Sequence, residues 1–211
     1  QALRIRKTGS RKGRQRGPAQ PGDGMSWGRL PVTVEVGGRV WKIATDYRDI
    51  LDIIARLSDE DCTPYERLYI SLGLFYDNFE TMPESDYPKA YEEMSLFISC
   101  GEEDTGRPSM KLIDWEQDER IIASEINKVA GYEVRAVSYL HWWTFIGYFN
   151  GIGEGHLSTV VNIRNKLKRG KKLEKWERDY YNENRRTVDL RQKYTAEENA
   201  EMERLKELLG G

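Results

Sequence analysis

Tyr139-Leu140-His141-Trp142-Trp143-Thr144-Phe145-Ile146-Gly147-Tyr148-Phe149 sets eight bulky apolar residues in eleven positions. At helical spacing that bulk surrounds the axis instead of covering one stripe, which predicts a helix packed on most sides at the centre of the core. Ser138 is placed to cap its start, and Asn150-Gly151-Ile152-Gly153-Glu154-Gly155 ends it. The interruptions His141, Thr144 and Gly147 recur every three residues and would let a second helix approach along one edge. Three uses are open to the block: interior packing with His141 hydrogen-bonded to a neighbour, a contact between subunits, or a stacking surface for bases or sugars. No nucleophile motif accompanies His141, so a catalytic base there is a remote reading.

Upstream, Val32, Val34 and Val36 alternate with polar residues, and Gly37-Gly38 precedes Arg39-Val40-Trp41-Lys42-Ile43. This predicts a β-hairpin over 32–43 whose Val and Trp face lies against helices, since two strands alone are marginal. Tyr47, Ile50, Leu51, Ile54 and Leu57 then fall on one helical stripe. Thr63-Pro64-Tyr65-Glu66 combines a capping Thr, Pro at the first helical position and Glu three residues after the cap. Tyr65, Leu68, Tyr69, Leu72 and Tyr76 read as the buried face of the helix that follows. Further helices are expected over 87–99, stopping at Gly101, from Asp114 to Gly131, from Ser158 with a break at Gly170, and after a Thr195 cap with Met202, Leu205, Leu208 and Leu209 as its stripe. The fold class is therefore mainly α: a helical domain over 25–190 with a small N-terminal β-hairpin, an extended basic C-terminal helical region, and a last helix over 191–211.

The 211 residues carry 33 Lys and Arg against 35 Asp and Glu, a net charge of -2 that hides strong segregation. Residues 1–24 sum to +6, residues 25–130 to -11 and residues 131–211 to +3. Such an arrangement lets copies pair with one another or with charged partners. Residues 1–24 have little apolar bulk and are expected to stay disordered. Because Met25 follows a stretch that opens on Gln1, that stretch reads as upstream translation or, alternatively, as a basic arm for nucleic acid or a plain flexible tail. No run approaches the about 18 apolar residues a membrane span requires, so no membrane role is expected.

Catalytic and ligand motifs find no support. Cys62 and Cys100 are 38 positions apart with no His at ligand spacing, which argues against a zinc site or a disulfide framework. Gly151-Ile152-Gly153-Glu154-Gly155-His156 follows a helix rather than a strand and reads as a connector, not a phosphate loop. Asp59-Glu60-Asp61 matches no calcium loop and reads as a solvated helix connection. The expectation is no catalytic residue, no cofactor and no metal.

Arg164, Lys166, Lys168, Arg169, Lys171, Lys172, Lys175 and Arg178 put eight positive charges in fifteen residues, with Trp176, Tyr180 and Tyr181 close by. That composition suits a nucleic-acid surface. Glu174, Glu177, Asp179 and Glu183 offset it within helical reach, so an ordinary exposed helix or a contact with an acidic protein surface, including that of residues 25–130, competes with it.

The hairpin running into Thr45-Asp46-Tyr47-Arg48, the Phe97-Ile98-Ser99-Cys100-Gly101 helix end, and the block of His141, Trp142, Trp143, Phe145, Phe149, Asn150 and Gly151 resemble the gene-product-fifteen family of tailed bacteriophage proteins over roughly residues 32–190. Asn162-Ile163-Arg164 departs from the Tyr-Arg or similar pair that the family tends to carry after the connector. The resemblance implies a non-catalytic tail assembly protein, a chaperone that coats the tape-measure protein until tail-tube subunits replace it. It further implies self-association and a place in the cytoplasm of the infected host, with incorporation into the virion left open. The alternatives are a nucleic-acid-binding phage protein using 164–178 and a structural tail-completion or connector component.

Overall fold

In the computed structural model, which describes residues 29–102 and 110–191, Thr33–Val36 (β1) and Arg39–Lys42 (β2) pair antiparallel, with Val34 opposite Trp41 and Val36 opposite Arg39. Gly37 and Gly38 both turn with positive φ, at 60° and 74°, the two-residue turn whose twist matches that of paired strands. The alternation buries Val36, Trp41 and Ile43 on one face and leaves Val40 in solvent. The chain divides after Pro31, and the architecture below is that of the unit beginning at Val32. The expectations for residues 1–24 and for the helix after Thr195 lie outside the described residues.

Eight α-helices occur among the described residues: Tyr47–Leu57 (α1), Pro64–Phe75 (α2), Tyr87–Ile98 (α3), Glu119–Ala130 (α4), Trp142–Asn150 (α5), His156–Lys168 (α6), Lys175–Glu183 (α7) and Arg185–Val188 (α8). The α2 start is the reciprocal cap its sequence predicts: Thr63 Oγ1 accepts from the Glu66 amide, and the Glu66 carboxylate accepts from the Thr63 amide at 2.8 Å. α3 stops where Cys100 and Gly101 take φ of 58° and 87°, and the Gly101 amide returns to the Leu96 carbonyl. The mainly helical class with a small hairpin is what the structure shows.

α1 packs against both α2 and α5, and β1 against α3. Ile50, Ile53, Leu72, Phe75, Met94 and Trp142 fill the space between them, each 2% exposed or less. Burial of such side chains, about 1.5 to 3 kcal/mol each, is the main source of stability here.

Three element starts differ from the sequence expectation, the first because distant partners outcompete a local signal. α5 begins at Trp142, capped by His141, whose Nδ1 accepts from the Trp143 amide; Ser138 is not the cap. The preceding residues are held extended, since Tyr47 N donates to Leu140 O and Trp142 N to Thr45 O. Asp114 does gather the Glu116 and Gln117 amides, but only into a turn, and α4 starts at Glu119. α6 starts at His156, where Ser158 is the third residue and its hydroxyl accepts from the Gly155 amide.

Candidate interaction surfaces

The three sequence segments that carry the resemblance meet in one knot. Asp46 caps α1 by accepting from the Arg48 amide, and its other oxygen accepts from the Leu140 amide at 3.0 Å. Tyr47 stacks on Phe145 with centroids 4.4 Å apart and planes 8° from parallel. Arg48 reaches the carbonyl of Val137 at 2.7 Å. From α5, the indole N–H groups of Trp142 and Trp143 donate to the carbonyls of Ile98 and Phe97, both at 2.9 Å. These are C-terminal carbonyls of α3, of which Phe97 also takes the Cys100 amide, so the two tryptophans add caps to that helix from outside. His141 is buried between Phe97 and Trp143 with its Nδ1 engaged as a cap acceptor. Phe149 packs on Trp115, and Asn150-Gly151 closes α5. Gly147 faces open space, so no second helix of the described residues uses the small-residue edge.

Among the basic residues, Arg164 is not on the surface. Its side chain is 3% exposed and pairs with Asp118, 1% exposed, through bonds of 2.6 and 2.8 Å. Its remaining donors go to the carbonyls of Val188, Leu112 and Thr187. Reading Arg164 as a partner-binding residue is thereby corrected: a count of charge along the chain cannot see a carboxylate 46 positions away. Lys166 is tied to the buried Glu177 carboxylate at 2.6 Å, and hydrogen bonding to that ammonium lowers the Glu177 pKa. Lys168 donates to the Lys111 carbonyl. What stays exposed is the turn between α6 and α7, carrying Lys168, Arg169, Lys171, Lys172 and Lys175, bracketed by exposed Leu167 and Trp176, and Arg178 on α7, which reaches back to the Leu173 carbonyl.

Two surfaces were not anticipated from the sequence. The first is the outer half of α2. Tyr65 and Tyr69, expected inside, are 58% and 44% exposed, and Ile70 and Leu74 are exposed beside them. Leu72 and Phe75 are buried on the opposite side, with Leu68 half-buried. At 100° per residue, positions 65, 69, 70 and 74 fall within one half of the helix circumference, which Glu66 and Gly73 share.

The second is a groove of about 550 Å³ whose walls are Leu51, Ile54 and Ala55 of α1 and Ile113 and Trp115 of the segment before α4. Its lining bears four carboxylates, Asp52, Asp114, Glu116 and Glu119, against the single ammonium of Lys111. A hollow of about 300 Å³ adjoins it through Leu51 and Trp115 and is floored by Tyr47, Ile122, Val134 and Phe145. The groove exists because α1 is rotated from its predicted register: Ile53 is fully buried, while Leu51 and Ile54 are only half-buried.

Other candidate chemistry resolves into structure. At Gly155 the Glu125 carboxylate lies 3.0 Å from where a Cβ would stand, so an anionic group crowds the glycine connector. A phosphate there would meet like charge. Asp59 pairs with Arg56 at 3.5 Å and accepts from the Asp61 amide, as a helix connection does. Cys62 and Cys100 are unbridged, and burial pushes the Cys100 thiol up to about 11. Among the described residues no group of His, Cys, Asp and Glu is placed to hold a metal, and no helix is long and apolar enough to cross a membrane.

A family model described as bacteriophage Gp15 protein matches residues 28–190, a span that contains the hairpin and all eight helices. No curated protein and no solved structure matches the chain.

Proposed function

The chain belongs to the bacteriophage Gp15 protein family, and from that premise we propose that it is a tail assembly protein that acts without chemistry, as a chaperone for the tape-measure protein. The observation that carries this reading is the apolar outer face of α2, where Tyr65, Tyr69, Ile70 and Leu74 are exposed on a helix whose other side is core. An amphipathic helix of a client is the occupant such a face suits, because residues at these spacings pack against another helix ridge to groove. Helix-on-helix contact of this size is reversible, as a coat that tail-tube subunits must displace has to be.

His141, Trp142, Trp143 and Phe145 are engaged in capping and packing, so the segments that define the family build the scaffold and leave recognition to surfaces outside them. Co-expression with the tape-measure protein of the same phage tests the proposal. A soluble complex that copurifies is the expected result; a client that stays insoluble and unbound would refute it. The nucleic-acid reading loses ground because Arg164 and Lys166, two of its eight cations, are spent on Asp118 and Glu177.

A further inference from the structure

The groove beside α1 and the turn between α6 and α7 are complementary in two respects at once. Four carboxylates and one ammonium give the groove lining a net charge of -3 over an apolar floor. From Leu167 to Trp176 the turn carries Lys168, Arg169, Lys171, Lys172 and Lys175 against Glu174 alone, a net of +4, with an exposed apolar residue at each end. Exposed Leu and Trp set among cations match what an apolar, acid-rimmed cleft would take up. The two surfaces also stand side by side. Lys168 donates to the carbonyl of Lys111, which lines the groove, so the basic turn begins at the groove's own edge.

Adjacent complementary patches on one molecule suit two-fold association. A two-fold axis passing between them places each groove on the other copy's turn, so the groove–turn contact forms twice and no complementary surface is left over. We propose that two copies of this chain exchange these surfaces, the groove lined by Leu51, Ile54 and Trp115 receiving the Leu167 to Trp176 turn of the second copy, to give a two-fold dimer. The dimer stands independently of the client reading, since its test uses the purified chain alone.

The experiment is the mass of the full chain in solution, by light scattering over a range of concentrations at about 0.05 M and about 0.5 M salt, where charge pairing is weakly and strongly screened. Dimers at low salt that dissociate at high salt are expected. The groove variant Asp52→Lys with Glu116→Lys brings the groove to +1, and the turn variant Arg169→Glu with Lys171→Glu and Lys172→Glu brings the turn to -2, so each places like charges in contact. Each raises the dissociation constant by on the order of tenfold or more. Mixing the two variants restores association, because each reversed groove then meets an oppositely charged turn. Circular dichroism of each variant confirms that it is folded. The proposal is overturned by a monomer at all concentrations, by dimers indifferent to salt and charge reversal, by failure of the mixture to associate, or by assemblies that grow past two copies. Association that vanishes on nuclease treatment would overturn it equally, by assigning the turn to nucleic acid.

Discussion

Arg164 of α6 and Asp118 at the start of α4 form a bidentate pair in which all five guanidinium N–H donors are used, two on the carboxylate and three on the carbonyls of Leu112, Thr187 and Val188. One side chain thus fastens α8 and the segment before α4 to the body of the molecule. Buried ion pairs are weak evidence of net stabilisation, but removing one partner strands the other in a medium that cannot solvate it.

Arg164→Ala is accordingly expected to cost about 3 to 5 kcal/mol in urea unfolding, whereas replacing Arg164 and Asp118 together by apolar residues of similar volume costs less. A double variant less stable than Arg164→Ala would show that the carbonyl contacts, not the stranded carboxylate, dominate.

Trp142 is 2% exposed and caps α3 through its indole N–H. Trp142→Ala should lower stability by about 3 to 5 kcal/mol, through a cavity and a lost hydrogen bond. Trp142→Phe keeps most of the volume and should cost less. A Trp142→Ala chain that is stable but fails to bind a partner would move the block from interior to interface.

Gly37 and Gly38 both sit at positive φ, yet only Gly37 is crowded: a Cβ there would stand 2.5 Å from Asp86 Oδ2, and at Gly38 it would meet nothing within 4 Å. Each Ala substitution carries about 1 to 2 kcal/mol of backbone strain. Gly37→Ala should exceed Gly38→Ala in thermal unfolding by the cost of moving Asp86. Equal losses would show that Asp86 yields freely.

The Lys166 ammonium holds the Glu177 carboxylate below its ordinary pKa, and Glu177 also accepts from the Glu174 amide at the start of α7. A depressed folded-state pKa stabilises the protein above the unfolded value of about 4.3, and the contribution is lost as pH falls through the folded value. Measured against pH, the stability gap between the native chain and Glu177→Gln should be full near neutrality and shrink below about pH 4.3. A gap that widens on acidification would reverse the sign and contradict the assignment.

What could be read in the sequence was what short-range chemistry fixes. The Gly37-Gly38 hairpin, the Thr63 to Glu66 cap and the stop at Gly101 each depend on residues within a few positions, and all three are in the structure. The α5 cap was misplaced because Asp46 pairs with His141 across 95 positions and holds Ser138 out of the helix. Arg164 and Asp118 were invisible as a pair for the same reason. Tyr65 and Tyr69 carry the composition of a core stripe, and periodicity says which residues share a face without saying whether anything covers it. The acid-rimmed groove depends on the rotation of α1, which composition does not set.

The α2 face tests the account most directly. Titrating the purified chain with an amphipathic helical segment of the tape-measure protein should show binding by calorimetry. Ile70→Asp and Leu74→Asp, exposed positions whose substitution leaves the core intact, should each weaken that binding on the order of tenfold or more. Absence of binding, or binding unchanged by both substitutions, would contradict the assignment of this surface to the client.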